Sequence, residues 1–210
     1  MSEIWKSPFD ERDVRLEQDE PLYNGFFRLH RLTLSHPRFE GGRVRIQREI
    51  LDRGDAVCVL LYDPKADAVI LVEQFRAGAL GKTESPWLLE LVAGIVEPGE
   101  SVEDVARRES VEEAGVELGP VFPITGYLPS PGGCDEWIDL VCALVDSRGV
   151  GGVHGLETEG EDIRVHVIGV QDAFALVREN RLRNAAAIIA LQWLELNHGR
   201  LQQMRVSDET

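Results

Sequence analysis

Gly94–Val116 reads GIVEPGESVEDVARRESVEEAGV and places three carboxylates where a helix should be apolar. The spacing predicts a helix over 102–114. Ser101 is a candidate N-cap, Asp104 its capping-box partner three positions on, and Gly115 the residue expected just past the helix end. At about 100° per residue, Val102, Val105 and Ala106 share one face with Glu109 and Glu113, and Glu112 falls at its edge. Acids three and four residues apart repel, and acids near a helix C-terminus oppose its dipole. Burying them unpaired costs on the order of several kcal/mol. The simplest neutraliser is a hard divalent cation held by oxygen ligands, which makes this helix a candidate metal site. Charge runs are usually solvated faces. Here the acids lie in line with the valines, and a glycine-rich loop with Glu97, Gly99 and Glu100 leads in.

At 210 residues the chain fits one sizeable domain, or a full domain plus a small appendage. Its 43% hydrophobic content suffices for a packed core, and no apolar run approaches the roughly 18 residues that span a bilayer. No membrane association is expected. The start, MSEIWKSPFDERD, is acidic and polar, unlike a secretory or transit peptide. There are three cysteines and no CxxC pair; Cys58 and Cys142 sit in aliphatic runs and Cys134 in a loop, a reduced, cytoplasmic pattern. A formal charge of −15 argues against a sequence-independent grip on nucleic acid. Bound cations would invert the local charge, so a small metal-chelated phosphorylated substrate is favoured over a polymer.

Residues 1–20 are charged and show little pattern. Strands are expected at 26–34 and 44–50, with Glu40-Gly41-Gly42 as the turn between them. A two-stranded unit is marginal in water, so this N-terminal unit, taken as 1–51, must pack on the rest of the chain or on a second copy. The main domain, 52–210, begins near Asp52. A buried hairpin is expected at 56–62 and 68–74, with further strands at 87–92, 121–128, 137–145 and 163–168. Helices are expected at 172–179 and 185–197, the latter N-capped by Asn184. Strands interleaved with few helices predict an α/β sandwich rather than a doubly wound sheet. The long loop 146–162, DSRGVGGVHGLETEGED, has the length and composition of a lid or binding element.

Carboxylates gathered around a divalent ion suit hydrolysis of a phosphoanhydride, with a further carboxylate taking the proton of an attacking water. No serine or cysteine nucleophile with an adjacent histidine is evident, the histidines lack ligand spacing, and there is no GxxxxGK[ST] phosphate loop. Water is therefore the expected nucleophile.

Gly94, Glu100, Arg108-Glu109, Glu112-Glu113 and Gly115-Val116 also reproduce the signature of the Nudix hydrolases. Ser110 stands where that pattern prefers an aliphatic residue. From about Tyr23 the chain resembles the bacterial ADP-ribose pyrophosphatase branch. The resemblance runs through GFF (25–27), REI (48–50), EQFR (73–76), ESPWLLE (84–90), SPGG (130–133), HGL (154–156) and EDIRVHV (161–167). Pro131, fifteen positions beyond Val116, is the mark associated with that branch.

The resemblance implies an α/β/α sandwich with its small N-terminal antiparallel β unit exchanged in a homodimer. It implies Mg2+ or Mn2+ held by Glu109 and Glu113, with Glu112 assisting, the Ala93 carbonyl completing the site and Glu161 reaching an additional ion. The general base would be Glu159, with Glu136 the alternative. Arg108 would orient the acids, and Glu100 would brace the loop. Phe26 and Phe27, of which one is core on the alternative reading, would stack on adenine from the neighbouring subunit, accompanied by Arg48 and Glu49. Arg53 and Arg76 would contact phosphate or ribose; Ser130, Pro131 and Gly132, with Glu136, would shape the pocket. Cys134-Asp135 and Trp137-Ile138 replace the small polar residues expected around Glu136. The implied reaction cleaves ADP-ribose to AMP and ribose 5-phosphate. Another nucleoside diphosphate sugar such as GDP-mannose is the nearest rival, and a non-catalytic ADP-ribose sensor a more distant one.

Overall fold

The computed structural model describes residues 5–204, the side chain of Glu159 excepted. These residues form two compact units, one made of the chain through Gly54 together with Leu128–Glu136, the other of Asp55–Tyr127 with the chain from Trp137 onward.

In the first unit, β1 (Arg15–Asn24), β2 (Arg28–Pro37) and β3 (Arg43–Asp52) form an antiparallel sheet in that order. No strand is expected from the sequence at β1. Nearly all of its residues are exposed, so no alternation marks it, and it is a strand because it pairs with β2 from Arg15↔Ser35 to Asn24↔Arg28. The strand expected from Phe26 starts instead at Arg28, and residues 25–27 make the bend between β1 and β2. The segment 128–136 is tied to β3: the Leu51 amide donates to the Gly133 carbonyl at 2.9 Å, and Asp135 donates back to Leu51 at 3.3 Å.

The second unit holds an eight-stranded mixed sheet. Its strands are β4 (Ala56–Asp63), β5 (Ala68–Phe75), β6 (Trp87–Glu90), β7 (Val92–Ile95), β8 (Val121–Tyr127), β9 (Ile138–Leu144), β10 (Gly152–His154) and β11 (Ile163–Gly169). The order is β10-β11-β5-β4-β9-β8, with β6 on β5 and β7 on β4; β4 and β9 run parallel. Every residue of β4 is buried. Val57, Val59 and Leu61 point into a cluster shared with Val105 and Ala106 of α1 (Val102–Ala114). Cys58, Leu60 and Tyr62 point into the opposite cluster, with Phe174 of α2 (Val170–Arg178) and Leu191 and Leu194 of α3 (Ala185–Gln203). Helices on both faces of a sheet make the expected α/β/α sandwich, and explain why β4 reads as an unbroken apolar run. Among the described residues no helix is long and apolar enough to cross a membrane.

Three elements differ from expectation. The strand anticipated at 87–92 is two strands separated at Leu91, because the chain leaves β5 and switches its pairing to β4. Residues 146–162 are not wholly irregular, since β10 adds an edge strand to β11. The last helix continues past Asn197 to Gln203 and seats Leu201 in the core.

Around α1 the sequence cues act as expected. The Ser101 hydroxyl accepts from the Asp104 amide, and the Asp104 carboxylate accepts from the Ser101 amide. Gly115 adopts φ +64°, a left-handed conformation that ends the helix. Ser110 lies fully buried in the stripe that includes Ala106 and Ala114, and its hydroxyl has no hydrogen-bond partner. Replacing Ser110 by Ala removes an unsatisfied buried hydroxyl, and is expected to stabilise the protein by about 1 kcal/mol in denaturant titration. A loss of stability would show that this hydroxyl is satisfied in solution.

Candidate active site

Helix α1 delivers its acids to a place prepared by β7 and by one arginine. Arg108 grips Glu100 with Nε at 2.9 Å and Nη2 at 3.1 Å, a two-pronged pair that anchors the loop before the helix. Its Nη1 donates to Glu109 at 2.5 Å and to Glu112 at 3.3 Å. The second oxygen of Glu100 also accepts from the Glu97 amide, and together these bonds hold Glu100 below the usual carboxylate range.

Glu113 is the most enclosed of the acids, with 2% of its surface exposed. Its carboxylate accepts from the Ala93 amide at 3.0 Å. Ala93 lies opposite Cys58 in the β4–β7 ladder, and a strand residue's N–H and C=O leave by the same edge, so the Ala93 carbonyl also emerges on the Glu113 side. Burial pushes the Glu113 carboxyl up to about 8; the Ala93 bond and Arg76 oppose that rise, whereas Glu109 and Glu161 add to it. Burial also raises Glu109, against Arg108 and with Glu112 and Glu161. Glu161 itself accepts from the Leu156 amide at 3.0 Å. The loop that bears it is pinned to α1 where the Gly155 amide donates to the Glu112 carbonyl at 3.2 Å.

Glu109 lies directly over Gly94. A Cβ built at Gly94 would come within 1.8 Å of the Glu109 carboxylate, so only glycine leaves room for that acid. Glu109, Glu112, Glu113 and Glu161 thus bring an excess of negative charge and an all-oxygen donor set, which fit a hard divalent cation. Among the described residues no three acidic, histidine or cysteine side chains already converge as a ready-made cage. The reason is visible in the bonds: Arg108, the Ala93 amide and the Leu156 amide each hold acids toward separate donors.

The remaining residues singled out in the sequence fall into both units. In the second, Arg76 pairs with the buried Glu90 at 2.8 Å, and Asn184 donates to the other oxygen of Glu90 at 2.9 Å. Asn184 simultaneously caps α3 through the Ala187 amide. The sequence marks Asn184 only as a cap and does not single out Glu90, which lies inside the strand expected at 87–92. An acid inside the otherwise apolar WLLEL run was the one available signal.

In the first unit, the Arg53 guanidinium lies 5.3 Å from the centre of the Phe27 ring, and its Nε is 3.4 Å from the buried Glu136. Phe26 is 86% exposed, and its ring meets that of Phe27 edge-on at 4.9 Å. The two rings do not alternate as residues of the strand expected from Phe26 would, because they sit in the β1–β2 bend. Arg48 donates to the Gln47 carbonyl, and Glu49 pairs with Arg31 at 3.3 Å. The Ser130 carbonyl accepts from the amides of Gly133 and Cys134, closing a turn that exposes Pro131 and Gly132. The Glu159 side chain lies outside the described residues; its backbone ends a single 3-10 turn, Glu157–Glu159.

The model of the NUDIX domain family matches residues 52–197, which span the sandwich and all of α1. The chain belongs to the NUDIX family. It is 46% identical over 195 residues to the ADP-ribose pyrophosphatase of Escherichia coli (strain K12), covering 92% of this chain and 93% of that protein. It is 47% identical over 207 residues to the ADP-ribose pyrophosphatase of Haemophilus influenzae, covering 97% and 94%. A GDP-mannose pyrophosphatase of Escherichia coli O1:K1 is 32% identical over 189 residues, covering 89% and 97%.

The elevated Glu113 makes the stability of this NUDIX domain pH-dependent when no cation is bound. Between 4.5, its ordinary value, and about 8, the folded protein keeps a proton that the unfolded chain releases. The Glu113 contribution is therefore most favourable below pH 4.5 and is lost as pH rises through about 8. Glu113→Gln should flatten this decline and, in EDTA above pH 8, leave the variant more stable than wild type by roughly 2–4 kcal/mol. Parallel stability–pH curves for the two proteins would contradict the burial of an ionisable group at this position.

Proposed function

We propose that this protein is a divalent-cation-dependent pyrophosphohydrolase that cleaves ADP-ribose to AMP and ribose 5-phosphate, with water as the nucleophile. The observation that carries the reading is the buried Glu113 against Ala93, beside Glu109 over Gly94. Two relatives named ADP-ribose pyrophosphatase match nearly the full chain at 46–47% identity, against 32% for a GDP-mannose pyrophosphatase, and this ranks the substrates. The intact Arg108-Glu109 and Glu112-Glu113 pairs favour an enzyme over a non-catalytic sensor.

Glu109 and Glu113, assisted by Glu112 and Glu161 and completed by the Ala93 carbonyl, would hold Mg2+ or Mn2+. Such an ion polarises a phosphoryl oxygen and offsets the charge of the diphosphate. Arg108 orients Glu109 and Glu112 through its Nη1, and takes no part in proton transfer. Arg76, braced by Glu90, offers its guanidinium to a phosphate or ribose oxygen. Water attacks one phosphorus, the bridging P–O bond breaks, and the water proton passes to a carboxylate. We assign that base to Glu159 ahead of Glu136, because Glu136 is buried beside Arg53. A base on the 152–161 segment would couple proton transfer to substrate binding.

Phe26 and Phe27 supply stacking surfaces for adenine, with Arg48, Glu49 and Arg53 beside them and Ser130, Pro131 and Gly132 as the pocket wall. We assign the N-terminal unit to a homodimer in which it completes the partner's site. A sheet this exposed gains from being covered, and exchange would cover it. The cysteine pattern supports a cytoplasmic enzyme.

Purified protein incubated with ADP-ribose and Mg2+ should release AMP and ribose 5-phosphate, and EDTA should stop the release. Glu113→Gln should lower kcat by more than about a hundredfold, beyond the loss typical of an outer-shell partner. Undiminished turnover by that variant would remove α1 from the catalytic centre. Faster cleavage of GDP-mannose than of ADP-ribose would reassign the substrate.

A further inference from the structure

Among the described residues, Ser110 Oγ and Gln74 Nε2 are buried polar atoms with no hydrogen-bond partner. Their settings differ. Ser110 is enclosed with small apolar residues, whereas Gln74 belongs to the strand that leads to Arg76. Only 7% of Gln74 is exposed.

The alternation of β5 fixes the direction of Gln74. Val69 and Leu71 enter the cluster beneath α2 and α3, while Ile70 and Val72 enter the cluster beneath α1. Gln74 is the next residue of the α1-facing set, and Arg76, still extended at φ −126° and ψ 109°, is the one after. On the neighbouring strand, Val165 lies opposite Val72 and Arg164 opposite Glu73, which brings Ile163 level with Gln74. Ile163 and Glu161 in turn converge on Gly155, where an added Cβ would lie 3.3 Å from Ile163 Cγ1 and 2.7 Å from Glu161 Cβ. Gln74 is thus placed between the Glu161 loop and Arg76, on the face that presents Glu109 and Glu113.

A buried amide donor that the protein leaves unpaired is destabilising, and such groups persist where a ligand supplies the acceptor. The nearby acids do not supply it, since none has an oxygen within hydrogen-bond distance of Gln74 Nε2. We propose that Gln74 is a substrate-binding residue, its Nε2 donating to a non-bridging oxygen of the substrate diphosphate beside Arg76. This rests on the pyrophosphohydrolase reading above. A neutral amide suits the position. It adds a donor without a positive charge that would compete with the cation, and without a carboxylate that would repel the diphosphate.

Gln74→Met keeps the length of the side chain and removes the donor. For ADP-ribose, kcat/KM is expected to fall by about ten- to a hundredfold, the range for a hydrogen bond to a charged partner. The dissociation constant of the non-hydrolysable α,β-methylene analogue should rise by a similar factor. Melting temperature should stay level or increase, and the Mg2+-induced shift in melting temperature should be unchanged. Gln74→Asn, which retains the amide but withdraws it by one methylene, should show the same loss and keeps the test decisive if the methionine variant fails to fold. Wild-type binding and turnover in a folded variant would overturn the assignment, as would loss of the Mg2+ response together with activity. A wild-type protein that neither binds nor cleaves any nucleoside diphosphate sugar would instead overturn the pyrophosphohydrolase reading.

Discussion

The constraint on which the second unit depends is the enclosure of Glu113 against the backbone of β7. A carboxyl group with almost no exposure is met by the Ala93 amide and by Arg76, just beyond the end of β5, and both oppose the upward push of burial. Both supports depend on the sheet. Ala93 is presented because the chain abandons β5 at Leu91 and re-pairs with β4. Were the segment from Trp87 to Ile95 one continuous strand on β5, neither Ala93 nor Gly94 would lie beneath α1.

Arg108 solves the complementary problem at the more open side of the helix. One guanidinium joins Glu100 in the loop to Glu109 and Glu112 on the helix, so the approach of the loop and the aim of the acids are set together. The helix accommodates acids at positions 109, 112 and 113 because this one cation divides its donors between two of them and the sheet receives the third. The structure that binds these acids is also what keeps them from collapsing into a single cage. A divalent ion would have to win them from Arg108 and from two backbone amides.

A second chain of contacts connects opposite faces of the same sheet. Arg76, on the α1 side, pairs with Glu90, and Glu90 accepts from Asn184, the cap of α3 on the far side. The position of a candidate phosphate ligand is thereby coupled to the start of a core helix. In the first unit, Arg53 plays a comparable part between the Phe27 ring and Glu136. In each case a partly exposed arginine is steadied by a buried acid, which limits the freedom lost when a ligand is bound.

The sequence by itself determined the helix 102–114, its caps, the face on which its acids lie, and the buried β4–β5 hairpin. These follow from local rules, since capping acts across three residues and periodicity repeats within a turn or a strand. It also marked the acids as too costly to bury alone, which is a statement about charge and needs no coordinates. Only the tertiary structure decided the rest. β1 is exposed and exists through its partner, so no pattern announced it. The break at Leu91 follows from two strands diverging elsewhere in the sheet. Phe26 and Phe27 escaped strand alternation because the chain bends there. Glu90 and Asn184 are 94 positions apart, and Gln74 owes its unpaired amide to what surrounds it. Such relations join residues distant in sequence through packing and register, and no local regularity encodes them.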